Sequence, residues 1–132
     1  MIRLLLVDDH AMMRQGLRSV LESHADIQII GEASDGQEAI AMADTLRPAV
    51  VIMDINMPRL NGIEATAHIK AQHPDIRVIG LSVNAGPNNK EAMLKAGADM
   101  LLTKEAAVEE LYRGIQSVVP QWSPLRPSPD AA

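Results

Sequence analysis

Short apolar runs alternate with amphipathic segments five times along this chain. The apolar runs, each short enough to be a single strand, cover residues 2–7, 27–33, 50–53, 78–81 and 100–103. The segment after the first run carries Met13, Leu17 and Leu21 at helical spacing. A chain that alternates strand and helix in this way predicts a parallel sheet with helices packed on both faces.

Breaker residues and apolar spacing place the predicted helices. Pro48 is expected to stop the second helix, Asn61 to cap the third, and Gly97 to close a fourth helix over 89–96. The last helix is predicted to face the core with Val108, Leu111, Tyr112, Ile115 and Val119. Right-handed crossovers leave few topologies, and the flavodoxin-like (βα)5 order 2-1-3-4-5 is the one expected. The predicted fold class is therefore α/β, a doubly wound parallel sheet with its first and third strands side by side.

Four of the predicted strands run into a polar residue. Asp8 and Asp9 follow the first strand, Asp54 the third, Ser82 the fourth and Lys104 the fifth. In a parallel sheet the strand ends meet at one edge, and ligands of open α/β sheets bind there. The pattern therefore predicts three carboxylates, a hydroxyl and an ammonium in one shallow cleft.

Such a set of side chains suits phosphoryl transfer. Three crowded carboxylates repel one another unless a cation joins them, and oxygen ligands favour Mg²⁺. With the cation bound, a carboxylate oxygen of Asp54 can act as a nucleophile toward phosphorus. Lys104 then neutralises charge on the transferred oxygens, and Ser82 can donate a hydrogen bond to one of them.

Composition excludes several classes of protein. The chain has no cysteine, which excludes a disulfide scaffold, a thiolate metal site and a cysteine nucleophile. A net charge of −5 without a cluster of Lys and Arg argues against nucleic-acid binding by this chain alone. No apolar run is long enough to cross a bilayer and no signal peptide is recognisable. We therefore expect a cytoplasmic protein that does not associate with membranes.

The periodic pattern ends near residue 119. Residues 120–132 contain four prolines and show no periodicity. The predicted organisation is one domain over 1–119, followed by a Pro-rich linker or disordered tail over 120–132.

Several stretches of this sequence carry a family resemblance. They are Leu-Leu-Val-Asp-Asp-His (5–10), Val-Ile-Met-Asp-Ile-Asn-Met-Pro (51–58), Asn-Gly-Ile-Glu-Ala (61–65), Gly-Leu-Ser (80–82) and Lys-Ala-Gly-Ala-Asp (95–99) leading to Lys104. Together they resemble the receiver domain of two-component response regulators. The stretch from the two acids to Arg-Gln-Gly-Leu (8–17) is most similar to the NarL/FixJ (LuxR-type) branch.

The resemblance implies roles in phosphorylation and in metal binding for the residues at the ends of the strands. Asp54 would be the phosphoacceptor, and Lys104 would bind the phosphoryl group. Asp8, Asp9 and Asp54 would hold Mg²⁺, together with the backbone carbonyl of Asn56.

The resemblance also implies a set of switch and tuning positions. Ser82 would be the switch hydroxyl, and the side chains of Asn56 and Asn84 would tune dephosphorylation. Leu101 stands where the family commonly has Tyr or Phe. This departure puts the usual aromatic readout of the switch in question.

By resemblance the protein is a phosphorylation-switched signalling domain rather than an enzyme with a separate substrate. A histidine kinase or phosphotransfer protein would supply the phosphoryl group, and a homodimer is compatible with the family. Members of this branch usually carry a C-terminal DNA-binding domain, so the chain is expected to be part of a transcriptional response regulator. The alternatives are a stand-alone receiver, a receiver of a hybrid kinase, or a pseudo-receiver that binds partners without being phosphorylated.

Two other classes fit the sequence less well. A hydrolase of the haloacid-dehalogenase type needs a second Asp two residues after its nucleophile, where this chain has Asn56. A flavodoxin needs a phosphate loop after the first strand, where Asp8 and Asp9 would repel the phosphate.

The histidines and the Met12–Met13 pair are not expected to take part in binding or catalysis. His10 is interpreted as a loop residue, and His24, His68 and His73 as surface residues. Met12 and Met13 are interpreted as packing residues.

Overall fold

A computed structural model describes residues 1–57, 60–83 and 87–119 of the chain. The elements in chain order are β1 (Ile2–Val7), α1 (Ala11–Glu22), β2 (Ile27–Ala33), α2 (Gly36–Leu46), β3 (Val50–Asp54), α3 (Gly62–Gln72), β4 (Arg77–Ser82), α4 (Pro87–Ala96), β5 (Met100–Thr103) and α5 (Lys104–Val118). Within these described ranges no helix combines the length and the apolar character needed to span a bilayer.

The five strands form one sheet in the order β2-β1-β3-β4-β5, and every neighbouring pair is parallel. This order confirms the predicted doubly wound topology. The strand order reverses direction at β1 and β3, which lie side by side, so the carboxyl ends of these two strands are neighbours. A crevice for a ligand is expected at this switch point.

The core has two layers, one on each face of the sheet. Along β1, Leu4 and Leu6 pack toward α1 and α5, whereas Leu5 and Val7 pack toward the helices of the other face. β3 is buried along its whole length, as expected for a central parallel strand covered on both sides. The apolar strands thus hold the acids at their ends in fixed positions.

Side-chain caps begin three of the helices. The side-chain oxygens of Asp35, Asn61 and Thr103 accept hydrogen bonds from the backbone N–H groups at the starts of α2, α3 and α5. The predicted cap at Asn61 is therefore confirmed. Gly97, with φ of +110°, follows the last residue of α4 as predicted. α4 begins at residue 87, two residues earlier than expected.

The cap at Asn61 gives the first testable prediction. Asn61 Oδ1 accepts a hydrogen bond of 2.9 Å from the N–H of Glu64. Asn61→Ala leaves this N–H without its partner and should lower the free energy of unfolding by about 1 kcal/mol, measured by urea denaturation. Asn61→Ser keeps a capping oxygen and should stay within about 0.5 kcal/mol of the unsubstituted chain. Equal losses in the two variants would contradict the capping role.

The predicted inner face of α5 is confirmed at Leu111 and Ile115 but is wrong at Val108. The buried residues of α5 are Ala107, Leu111, Gly114, Ile115 and Val118. Val108 is 52% exposed and Tyr112 is only partly buried. The small residues on the inner face explain the shift, because a Cβ at Gly114 would lie 2.9 Å from Met100 Sδ. α5 therefore packs close to the sheet through Ala and Gly, which an apolar pattern of large residues does not reveal.

Two further expectations about single residues are wrong. His73 is only 8% exposed, and its Nε2 lies 3.1 Å from Asp44 Oδ1 on the neighbouring helix α2. Met12 is 85% exposed and does not pack in the core. His73 is buried because the neighbouring helix α2 covers this end of α3.

Candidate functional site

The carboxyl edge of the sheet brings together four of the residues predicted to carry chemistry. Asp8 and Asp9 follow β1, Asp54 is the last residue of β3, and Lys104 is the first residue of α5. Because β1 and β3 are adjacent, the three carboxylates converge at the switch point of the topology. Asp8 and Asp54 are fully buried, whereas the side chain of Asp9 is 27% exposed.

Lys104 is the cation of this group. Its Nζ lies 3.1 Å from Asp54 Oδ2 and 3.2 Å from Asp8 Oδ2, and its side chain is only 13% exposed. Thr103 caps α5 immediately before Lys104, since its Oγ1 accepts a hydrogen bond of 3.1 Å from the N–H of Ala106. The cap fixes the start of the helix and with it the direction from which the ammonium reaches the acids.

The environment of Asp54 strongly disfavours its charged form. Burial, and after it the charge of Asp8, raise the pKa of Asp54 to about 7, although the charge of Lys104 opposes the shift. One cation among three acids therefore leaves the site short of positive charge.

The acids shift the pKa of Lys104 in turn. Burial lowers the pKa of its ammonium, but the charges of Asp54 and Asp8 and the hydrogen bonds to them outweigh burial and raise it overall. Lys104 therefore remains positively charged at neutral pH.

The acids can hold a metal ion. Asp8, Asp9, His10 and Asp54 each offer one ligand atom, and these atoms lie within 4.8 Å of one another. Three carboxylate oxygens, Asp8 Oδ2, Asp9 Oδ1 and Asp54 Oδ2, are buried and meet no hydrogen-bond donor of good geometry in the described parts of the chain. Lys104 Nζ is within ion-pair distance of two of them. Unsatisfied anionic oxygens at this spacing fit a small divalent cation that prefers oxygen ligands.

His10 lies closer to the acids than its interpretation as a plain loop residue suggested. It is exposed and occupies the position before α1, but its Nδ1 lies 3.2 Å from Asp9 Oδ1. Its backbone N–H donates to Asp8 Oδ1 at 2.8 Å. His10 therefore helps to orient the Asp8 carboxylate through the main chain.

The remaining predicted residues are partly placed by the structure. Ser82 is buried at the end of β4, one strand from Asp54, and its Oγ lies 3.5 Å from Asn89 Nδ2. The backbone N–H of Asn56 donates to Asp54 Oδ1 at 3.3 Å. Leu101 packs against the core layer on the side of α2, α3 and α4. The metal-binding, switch and tuning roles of these residues stay predictions.

Asn84 and the tail over 120–132 lie outside the described residues. The tuning role of Asn84 and the interpretation of the tail as a linker therefore also stay predictions.

Sequence reasoning missed the contribution of Gly62 to the site. A Cβ at this position would lie 2.1 Å from the carbonyl oxygen of Asp54, and the Gly62 N–H donates to the carbonyl of Ile55 at 2.8 Å. The start of α3 therefore lies directly against the backbone of Asp54. The signal in the sequence was only a glycine beside a capping residue.

Chemically, the cleft combines a carboxylate of raised proton affinity, a charged lysine and two further acids able to share a cation. It is open enough at Asp9 and His10 for a ligand to approach. Such a site can accept a phosphoryl group on a carboxylate oxygen and stabilise the charge that the group brings.

Comparison with known proteins identifies the same family. The family model of the response regulator receiver domain matches residues 4–116. Response regulator GacA of Pseudomonas protegens is 39% identical over 118 residues, which cover 89% of this chain and 55% of GacA. The chain thus spans about half the length of the curated relatives it matches.

Solved structures agree in fold. A LuxR-family two-component response regulator from Aurantimonas is similar with a TM-score of 0.86 at 31% identity, over 98% of this chain and 91% of that one. A chain of the CheX–CheY–BeF3–Mg²⁺ complex from Borrelia burgdorferi has a TM-score of 0.83 at 26% identity, over 89% of both chains.

Proposed function

This chain belongs to the family of response regulator receiver domains, and on that premise we propose that Asp54 is its phosphoacceptor. A receiver domain is the part of a two-component signalling protein that changes state on phosphorylation. The observation that carries the proposal is the position of Asp54, which is buried at the switch point with Lys104 Nζ 3.1 Å from its Oδ2. The proposed domain is residues 1–119.

In the proposed reaction a carboxylate oxygen of Asp54 attacks the phosphorus of a phosphohistidine on the partner. The new P–O bond forms an acyl phosphate, the P–N bond breaks, and the imidazole that leaves keeps the electron pair. Because a protonated carboxyl group is a poor nucleophile, Asp54 has to be deprotonated for this attack. The ammonium of Lys104 favours that state, since its charge lowers the pKa that burial raises.

The residues around Asp54 have distinct proposed roles. Asp8, Asp9 and Asp54 would hold Mg²⁺ with the backbone carbonyl of Asn56. When bound, Mg²⁺ supplies neutralisation of charge on the transferred oxygens. Lys104 would move from its ion pairs with the acids to an oxygen of the phosphoryl group.

The next residues would read the acyl phosphate and set its lifetime. Ser82 would donate its hydroxyl hydrogen to a phosphoryl oxygen, which draws the end of β4 toward Asp54. The side chains of Asn56 and Asn84 would control access of water to the acyl phosphate. Leu101 would replace the usual aromatic residue next to this switch.

The proposed partners follow from the same chemistry. A histidine kinase or phosphotransfer protein would donate the phosphoryl group, and the chain would act on no separate substrate. Because its relatives are about twice as long, we propose that it works within a transcriptional response regulator whose DNA-binding domain lies outside this chain. A homodimer and a cytoplasmic location complete the proposal.

The proposal predicts a Mg²⁺-dependent adduct on one residue. Incubation with acetyl phosphate and Mg²⁺ should add a single phosphoryl group, seen by intact mass spectrometry, and EDTA should prevent it. Asp54→Asn should show no adduct because it lacks the nucleophilic oxygen.

The matched control is Asp75→Asn, an exposed acid at the opposite edge of the sheet, which should be modified like the unsubstituted chain. An adduct that persists in Asp54→Asn would overturn the assignment of Asp54. No adduct from acetyl phosphate or phosphoramidate, together with no binding of Mg²⁺, would instead favour the pseudo-receiver that binds partners without phosphorylation.

A further inference from the structure

The edge strand β2 contains one extra residue, and this residue determines where Glu32 points. The pairing of β2 with β1 passes from Ile29 to Gly31 and leaves Ile30 without a partner. As a result Glu32 stands beside Leu6, on the face of the sheet that α1 and α5 cover. Since strand side chains alternate, Glu32 would stand on the opposite face without this bulge. Bulges of this kind often re-aim a side chain next to a functional site.

Glu32 meets two arginines of α1. Its Oε1 accepts a hydrogen bond of 2.9 Å from Arg14 Nε, and its Oε2 pairs with Arg18 Nη1. The side chain of Arg14 is 22% exposed, whereas that of Arg18 is 43% exposed. The two arginines therefore share one carboxylate, but Arg14 is the more enclosed of the pair.

Of the two arginines, Arg14 is the one that also contacts an acid of the predicted cation site in the described parts of the chain. Its Nη1 donates to the backbone carbonyl oxygen of Asp8 at 2.6 Å. The N–H of Asp8 donates in turn to the carbonyl of Ala33, the last residue of β2, at 3.0 Å. The backbone of Asp8 is thus held on both sides, by the end of β2 and by an arginine that β2 holds in place through Glu32.

That carbonyl belongs to the peptide bond between Asp8 and Asp9. The orientation of this peptide is coupled, through ψ of Asp8 and φ of Asp9, to the directions in which both side chains leave the main chain. A planar guanidinium with two nitrogens engaged on fixed partners holds its own position, and so it restricts the peptide that it contacts. The cation bound by the acids then meets carboxylates that are already oriented.

We propose that Arg14 is a positioning residue of the cation site, acting on the Asp8–Asp9 peptide from a base provided by Glu32. The inference rests on the proposed function, because it assumes that Asp8 and Asp9 bind a divalent cation. Arg14 contacts neither the cation nor the phosphoryl group. Its effect is on the affinity for the cation, as for other residues that orient metal ligands.

The test compares Arg14→Met with Arg18→Met in the full chain. Mg²⁺ is titrated into each protein by calorimetry, and metal-free stability is measured by urea denaturation. Arg14→Met should raise the dissociation constant for Mg²⁺ about tenfold. Arg18→Met should stay within about twofold of the unsubstituted chain, because Arg18 does not reach the Asp8 carbonyl.

The two readouts separate positioning from general stability. Both variants lose an ion pair with Glu32, so a merely structural role would move the urea midpoints of both and the Mg²⁺ affinity of neither. In phosphorylation by acetyl phosphate, Arg14→Met should need about tenfold more Mg²⁺ for half of its maximal rate and should keep that maximal rate.

Two milder variants keep the proposal open to refutation if Arg14→Met does not fold. In Arg14→Lys a single ammonium replaces the fork of donors, and it should recover only part of the lost Mg²⁺ affinity. Glu32→Gln keeps an acceptor for Arg14 but removes the charge, and should weaken Mg²⁺ binding by about two- to fivefold. Mg²⁺ affinity in Arg14→Met or Arg14→Lys equal to that of Arg18→Met would overturn the inference. No saturable Mg²⁺ binding by the unsubstituted chain would overturn the proposed function itself, and the inference with it.

Discussion

Gly62→Ala should lower the free energy of unfolding by about 3 kcal/mol, a large share of the stability of a domain of this size. The added methyl group would lie 2.1 Å from the carbonyl oxygen of Asp54 and 2.8 Å from the Cα of Ile55. Both neighbours are backbone atoms at the end of a fully buried strand, so no flexible side chain is available to move aside. Either α3 or the end of β3 must shift.

The matched control is Gly16→Ala. Gly16 lies inside α1, and a Cβ there would have nothing within 4 Å. Alanine has the higher helix propensity, so this variant should gain about 0.5–1 kcal/mol. The same substitution thus has opposite signs at two glycines. Urea denaturation of both variants measures the difference, and a Gly62→Ala chain within about 1 kcal/mol of the unsubstituted protein would refute the close approach.

Gly62→Ala should also reduce phosphorylation, because the backbone it displaces carries the proposed nucleophile. The yield of adduct with acetyl phosphate should fall even at temperatures where circular dichroism shows the variant folded. A folded variant with the full yield would show that the end of β3 adapts without moving the Asp54 carboxylate.

The strands and the acidic cluster were accessible to sequence reasoning because a parallel sheet converts order along the chain into position in space. β1 and β2 have the predicted limits, and β3 extends by one residue to include Asp54. Once the strand order was predicted, the convergence of Asp8, Asp9 and Asp54 followed from their places at strand ends. Lys104 followed in the same way, since it comes directly after β5.

Other features depend on close packing, which a one-dimensional pattern does not contain. Gly62 looks like an ordinary helix start until the Asp54 carbonyl is seen above it. Val108 matched the apolar spacing of α5, but Ala107 faces the sheet instead because α5 packs closely there. The role proposed for Arg14 requires the bulge in β2, and no local signal marks Ile30 as the extra residue.

Asp54→Asn should stabilise the metal-free protein at pH 8 by about 2–4 kcal/mol, even though it removes the proposed phosphoacceptor. Burial and the charge of Asp8 together raise the pKa of Asp54 from an ordinary 3.8 to about 7, so the folded chain holds this proton more tightly than the unfolded chain does. Between these two pH values the unfolded state loses its proton first, and the stability of the fold falls as pH rises. Above pH 7 the folded protein carries the full cost of an ionised Asp54. The amide of Asn never ionises and avoids that cost.

The experiment measures the free energy of unfolding of both chains by urea denaturation from pH 4 to pH 8 in EDTA. The stability of Asp54→Asn minus that of the unsubstituted chain should increase across this range and level off above pH 7. Taking the difference removes the contributions of groups that titrate alike in both proteins. A flat difference would mean that the charge of Asp54 is not disfavoured by its surroundings.

Saturating Mg²⁺ should then offset most of this difference in stability. In the proposed function the ion binds the folded unsubstituted chain and not its unfolded state, so it should stabilise that chain by mass action, by about 2.7 kcal/mol at a hundredfold excess over its dissociation constant. Asp54→Asn retains Asp8 and Asp9 but lacks one anionic ligand, and should gain much less. The ionised carboxylate of Asp54, which destabilises the metal-free protein, is thus the group proposed to bind the cation and accept the phosphoryl group. An equal gain in both proteins would show that Mg²⁺ binds without Asp54.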